Sequence, residues 1–186
     1  MSKLRFASAR DVFEAFPAAR DDIQAPPVDE APFEFLGRLL QGRAPEDAIG
    51  FCAYLLGRRE TVWWASQSHR TLGPPVNRED EKALLVAEAW VREPEEHRRR
   101  AALDIGLHGD HSLPGVWVSL AAGGSGGVLI ISGQLGPPVA PEMTAKSARA
   151  AVLISLARLP IRQRAAQLPI CVDICRRLAQ DKSQPS

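Results

Sequence analysis

Residues 45–72 read PEDAIGFCAYLLGRRETVWWASQSHRTL, and this stretch holds the adjacent tryptophans Trp63 and Trp64. Pro45, Glu46 and Asp47 open a helix, because proline fits the first helical turn and acidic groups favour the positive helix end. Ala48, Cys52, Leu55 and Leu56 repeat at helical spacing, and Gly57 stops the run. Arg58, Arg59 and Glu60 lead into a second helix, so the stretch predicts a helix–turn–helix pair. On that second helix the clearest apolar stripe is Val62, Ala65, His69 and Leu72. Successive residues on a helix are about 100° apart, which puts the two indoles on opposite flanks of the stripe. The flank of Trp64 carries Gln67, Ser68 and Thr71. Trp64 is therefore expected to be the partly exposed indole and Trp63 the one that stabilises the core.

Helices continue on both sides. Ser8 caps a short helix from Ala9 to Phe16, with Asp11 favouring its first turn. Residues 17–32 hold Pro26 and Pro27 among acidic residues and read as an extended linker. The division that follows is a short helix and proline-rich linker over 1–30, and a helical domain over 31–182. The short helix is expected to dock back on its own body, with a partner as the alternative. Its deletion is expected to leave the domain folded. Phe33, Leu36 and Leu40 mark the next helix. Asn77 caps another, whose first turn is acidic at Glu79, Asp80 and Glu81 and whose buried face is Ala83, Val86, Ala87, Trp90 and Val91.

Pro94 starts a helix in which Glu95 and Glu96 precede Arg98, Arg99 and Arg100, the ordering of a solvated face. Val116 to Ala122 predicts a short helix, with a strand over VWVSL as the alternative. The run Gly123–Gly127 is flexible by composition. VLIIS at 128–132 fits either a short buried strand or one more helical turn. Pro137, Pro138 and Pro141 make a stiff connector. Thr144 caps a helix that is apolar on nearly every side through Leu159, which marks it as central. The last helix runs from Ile161, with a kink or break expected at Pro169, and residues 181–186 read as a disordered tail.

The fold class expected is all-α, an irregular helical bundle or a short two-layer stack of antiparallel helix pairs. With 186 residues, of which 45% are apolar and 24% charged, the chain can bury one sizeable core. A net charge of +1 argues against a nucleic-acid partner. No stretch approaches the roughly 20 apolar residues of a membrane span, and Asp11 and Glu14 interrupt any secretory signal. Three cysteines, Cys52, Cys171 and Cys175, in apolar helical surroundings suggest reduced thiols and a cytoplasmic location.

Catalytic chemistry finds little to rest on. Gly123-x-Ser125-x-Gly127 matches the nucleophile-elbow pattern, but that motif needs a preceding strand and a later histidine. His69, His97, His108 and His111 all precede Ser125. His108, Asp110 and His111 crowd one loop without a fourth metal ligand. Cys171 and Cys175 lack a second pair, so they read as small core residues. The expectation is no catalytic residue, no metal and no cofactor. Tryptophan and arginine are enriched at binding hot spots, and Trp63, Trp64, Arg70 and Trp117 form the candidate interface for a protein partner. The alternative is a small-molecule-binding or hydrolytic protein using a pocket near the loop at 123–127. An exposed apolar groove would favour the first, a deep polar pocket under that loop the second.

The segments VWWASQSHRTL (62–72) and VAEAWVREPEEHRRRAAL (86–103), then the glycine loop, the prolines and Thr144-Ala145, resemble a small bacterial family known as a domain of unknown function. The likeness spans roughly residues 33–160. Its most specific parts are the paired tryptophans and AWV-x-x-P-x-x-x-x-R-R. The chain departs at Ala122, Gly123 and Gly124, where an aromatic before Ser-Gly-Gly is expected. The resemblance implies an all-helical bacterial cytoplasmic protein and an accessory or adaptor role near type VI secretion. It carries over no catalytic residues.

Overall fold

The computed structural model describes residues 4–131 and 133–181, with the side chains of 130 and 131 left undescribed. The tail from 182 onward, including the expected domain end at 182, and Ser132 lie outside the described residues. The helices are α1 (Ala9–Ala15), α2 (Ala19–Asp22), α3 (Pro32–Leu40), α4 (Asp47–Leu55), α5 (Arg58–Leu72), α6 (Arg78–Arg92), α7 (Glu96–His108), α8 (Pro114–Gly123), α9 (Met143–Ala157) and α10 (Ile161–Gln180). One antiparallel hairpin, β1 (Val128–Ile131) and β2 (Gln134–Pro138), joins α8 to α9. The protein is an all-α helical bundle.

Helix α9 lies at the centre and packs against α4, α5, α8 and α10. Its Ala148, Ala151 and Val152 are fully buried, as expected for a helix apolar all round. Thr144 does not cap it. The helix already begins at Met143, and the Thr144 hydroxyl donates to the Ala121 carbonyl of α8 at 3.0 Å. The α4–α5 pair is likewise not a tight hairpin, since both helices pack more extensively on α9 and α10 than on each other. Helix α10 runs unbroken through Pro169. Proline removes the bond to the carbonyl four residues back, here that of Ala165, which is exposed and so within reach of water.

Close approach of α7 and α8 explains the glycines at both ends of that contact. A Cβ on Gly106 would fall 2.5 Å from Leu120 Cα, and one on Gly123 would fall 2.3 Å from Leu103 Cα. The helices run antiparallel with backbones nearly touching, which only glycine allows. Gly123 therefore belongs to a buried helix end rather than to a flexible loop. Arg99 is buried too, contrary to the expected solvated face. Its Nη1 donates to the Gly123 carbonyl at 2.7 Å, while Glu96 holds the rest of the guanidinium. A cation at a helix C-terminus completes the unpaired carbonyls there. Arg58 Nη1 binds the Ser125 carbonyl at 2.8 Å, so the following turn is also held. The ambiguous VLIIS segment forms β1 over its first four residues, and the prolines at 137–138 end its partner strand β2.

The N-terminal helix enters the main core. Ser8 and Asp11 form a full capping box on α1, and Phe13 meets Phe35 and Phe51 at ring-centroid distances of 6.3 Å each. The linker after it is tied down as well. Asp47 accepts the backbone N–H groups of Gln24 and Ala25 at 2.9 Å each, and Asp22 accepts from Tyr54 Oη at 2.6 Å and Lys146 Nζ at 3.0 Å. Deleting residues 1–30 is thus expected to lower the melting temperature sharply or abolish cooperative melting. Phe13→Ala alone should cost about 3–5 kcal/mol, the range for a buried phenylalanine. A truncated chain that melts like the full one would overturn this.

Candidate functional site

The four residues of the expected interface do not form one patch. Trp64 is fully buried, and its indole N–H donates to the Cys171 carbonyl of α10 at 2.9 Å. Trp63 is the half-buried member of the pair, packed on the edge of the core. The expected order is reversed, and small hydroxyls are the reason. Thr61, Ser66 and Ser68 are buried beside Trp64, and Thr61 Oγ1 donates to the Ala53 carbonyl at 3.2 Å. A short hydroxyl with such a partner enters a core at little cost; of the flank expected to be polar, Ser68 is buried, Gln67 half-buried and Thr71 exposed.

Arg70 is committed within the chain. Its Nε donates to Glu88 at 2.7 Å, and its two Nη atoms bind Glu81 at 3.1 Å each. The Glu88 and Glu81 hydrogen bonds hold its guanidinium charge firmly. Glu88 is nearly buried and also accepts from Ser66 Oγ. Trp117 is half-buried at the turn into α8, where its N–H donates to the His111 carbonyl at 2.8 Å and its ring meets His111 edge-on.

Below the Arg70 pair lies a polar array that the sequence did not disclose. His69 of α5 is 1% exposed, Asp80 of α6 0% and Ser155 of α9 3%. His69 Nε2 lies 2.9 Å from Asp80 Oδ2, and His69 Nδ1 lies 2.8 Å from Ser155 Oγ. Asp80 also accepts the N–H of Val76 at 2.8 Å and that of Gly115, at the start of α8, at 2.6 Å. Burial pushes the Asp80 carboxyl upward, but the bonds from His69, Val76 and Gly115 outweigh it and hold the group below the usual carboxylate range. A Cβ on Gly115 would come within 2.7 Å of Oδ1, so glycine is what lets α8 aim an N–H at this carboxylate. One anion thus joins α5, α6 and α8, and through His69 reaches α9.

Serine, histidine and aspartate in a chain invite comparison with a nucleophilic triad. The geometry is different. Ser155 lies within a helix, and its Oγ is also 2.8 Å from the Ala151 carbonyl. The N–H groups of Arg158 and Leu159, which follow it, bond back to Ile154 and Leu156, so they are not free to form an oxyanion pocket. The array is built as a clamp between helices. A cleft of about 160 Å³ reaches its edge, lined by His69, Leu72, Pro74, Ser155, Arg158 and Leu159 among others, away from the loop at 123–127.

The outer face of α6 offers a second, open feature. Arg78, Glu81, Lys82, Leu85, Val86 and Ala89 line a groove of about 360 Å³. Leu85 is 48% exposed there, and Glu81 at the rim is one of the two carboxylates that hold Arg70.

Among the described residues no group of three or more His, Cys, Asp or Glu is placed to hold a metal ion. His108 sits against Asp104, and His111 bonds the Gly106 carbonyl at 2.9 Å. The three cysteines are free and buried, and burial pushes the Cys171 thiol up to about 11. Such thiols are poor nucleophiles at neutral pH. Among the described residues no helix is long and apolar enough to cross a membrane.

The chain belongs to a family of unknown function, DUF6931, whose match covers residues 35–179. No curated protein and no solved structure matches it.

Proposed function

We propose that this protein is a non-catalytic interaction module that binds a protein partner through the outer face of α6. The observation that carries this reading is the open apolar groove around Leu85, Val86 and Ala89. A large aliphatic side chain left 48% exposed beside such a groove is the kind of surface that marks partner binding. Of the charged residues lining it, Arg78 and Lys82 are cations, and Glu81 is already paired with Arg70, which suits an amphipathic helix whose apolar stripe is bordered by carboxylates. Catalysis has weaker support, because the buried serine, histidine and aspartate are spent on holding helices together. A bacterial cytoplasmic setting rests on the family resemblance and on the apolar surroundings of the three cysteines, and an accessory or adaptor role near type VI secretion is proposed from the resemblance alone. No nucleic-acid or membrane partner is proposed, and oligomerisation is left open.

Leu85→Glu tests the reading, since glutamate keeps helix propensity and the site is exposed. The variant should melt like the parent. Wild-type bait in a lysate of the native host should retain a protein that the variant loses, and a peptide from that protein's acidic amphipathic helix should bind the wild type about tenfold or more tighter, as expected for a central anchor. Identical capture by both baits would remove the α6 face as the binding surface.

A further inference from the structure

The cleft beside His69 has a polar lining that differs in character from the α6 groove. Its polar side chains are one guanidinium, Arg158, one imidazole, His69, and one hydroxyl, Ser155, with no carboxylate among them. The Arg158 guanidinium makes no hydrogen bond or ion pair among the described residues. The nearest buried carboxylate, Asp80, is already satisfied by His69 and two backbone N–H groups. The carbonyls of Ala157 and Leu159, where α9 ends, are taken by Arg164 at 2.6 and 2.9 Å. A helix C-terminus normally repels anions, and here a second guanidinium neutralises it. The charged side chain that lines the cleft without a partner among the described residues is therefore a cation.

The rest of the lining is aliphatic, from Leu72, Pro74 and Leu159. Inorganic phosphate would leave that surface unused. We propose that the cleft is a binding site for a small organic carboxylate. Its charged end pairs with Arg158, and its aliphatic body lies over Leu72, Pro74 and Leu159 toward the Ser155 hydroxyl. A volume of about 160 Å³ suits an acid of a few carbons. The site is separate from the α6 groove, so either proposal can fail alone.

Titration calorimetry of the full chain with sodium butyrate tests this, with butyramide and inorganic phosphate as comparison probes. Butyrate should bind saturably in the millimolar range, and tighter than either comparison probe. Arg158→Gln should weaken butyrate by about tenfold, the loss of one charge-assisted contact. Gly73 lines the same cleft, and a Cβ added there meets nothing within 4 Å. Gly73→Leu should thus fill the cleft and abolish binding while the melting curve stays that of the parent. Absence of saturable butyrate binding would overturn the proposal. So would butyramide or phosphate binding as tightly as butyrate, or butyrate affinity unchanged in either variant.

Discussion

Trp64→Ala is expected to lower stability by about 3–5 kcal/mol, the range for a fully buried large aromatic, while Trp63→Ala should cost markedly less. The indole of Trp64 has no exposed surface, and its N–H is bonded to the Cys171 carbonyl across the α5–α10 contact. Truncation leaves a cavity where two helices meet and removes a buried donor at the same time. Trp63 keeps part of its surface in water, so less transfer free energy is lost, about 1–2 kcal/mol on the scale of a half-buried side chain. Urea unfolding of both single variants measures the difference. A shift in midpoint without a change in slope assigns it to stability. Equal losses, or a larger loss for Trp63, would contradict the packing.

Helix starts were the legible part of this fold, because caps are local. Ser8 with Asp11 and Asn77 before α6 each announce a helix within a few residues, whereas α8 starts at Pro114, two residues before the start expected at Val116. Which face a helix buries was less legible. On α5 Gln67, Ser68 and Thr71 look like a solvent flank, yet Ser68 is buried, as are Thr61 and Ser66 on the same helix, and only Thr71 is exposed. Burial of a short hydroxyl depends on a partner supplied by another segment, and no local pattern reveals it. The acidic first turn of α6 was legible as a helix start, but only the fold distinguishes Asp80 from its neighbours Glu79 and Glu81. His69 stood in the expected apolar stripe, and a histidine in such a stripe does call for a polar partner. Its partners lie 11 and 86 positions away, beyond the reach of spacing arguments. The α6 groove was half visible. Val86 was expected on the buried face and is only half-buried, while Leu85 beside it is the exposed residue.

The second large effect is expected at Asp80, where Asp80→Ala should cost about 3–5 kcal/mol, the range for breaking a buried pair by removing one partner. Two backbone N–H groups, those of Val76 and Gly115, lose their acceptor along with His69, and the buried Gly115 donor carries its own desolvation penalty. Asp80→Asn should not rescue the fold. An amide has one acceptor oxygen. With that oxygen at the Oδ2 position, the NH₂ group faces the Gly115 N–H. In the flipped orientation it faces the Val76 N–H, so a donor meets a donor either way. The same carboxylate sets a pH dependence with a definite sign. Its folded-state pKa lies below the ordinary value, so its contribution is present above the unfolded carboxylate range of about 4. As the pH falls from there through the folded value, that contribution is lost. Urea midpoints recorded from pH 7 down to about 3 should fall for the wild type. They should fall less steeply for Asp80→Asn, which has no proton to take up at this site. A neutral asparagine variant as stable as the parent at pH 7 would show that the carboxylate does not hold these helices together.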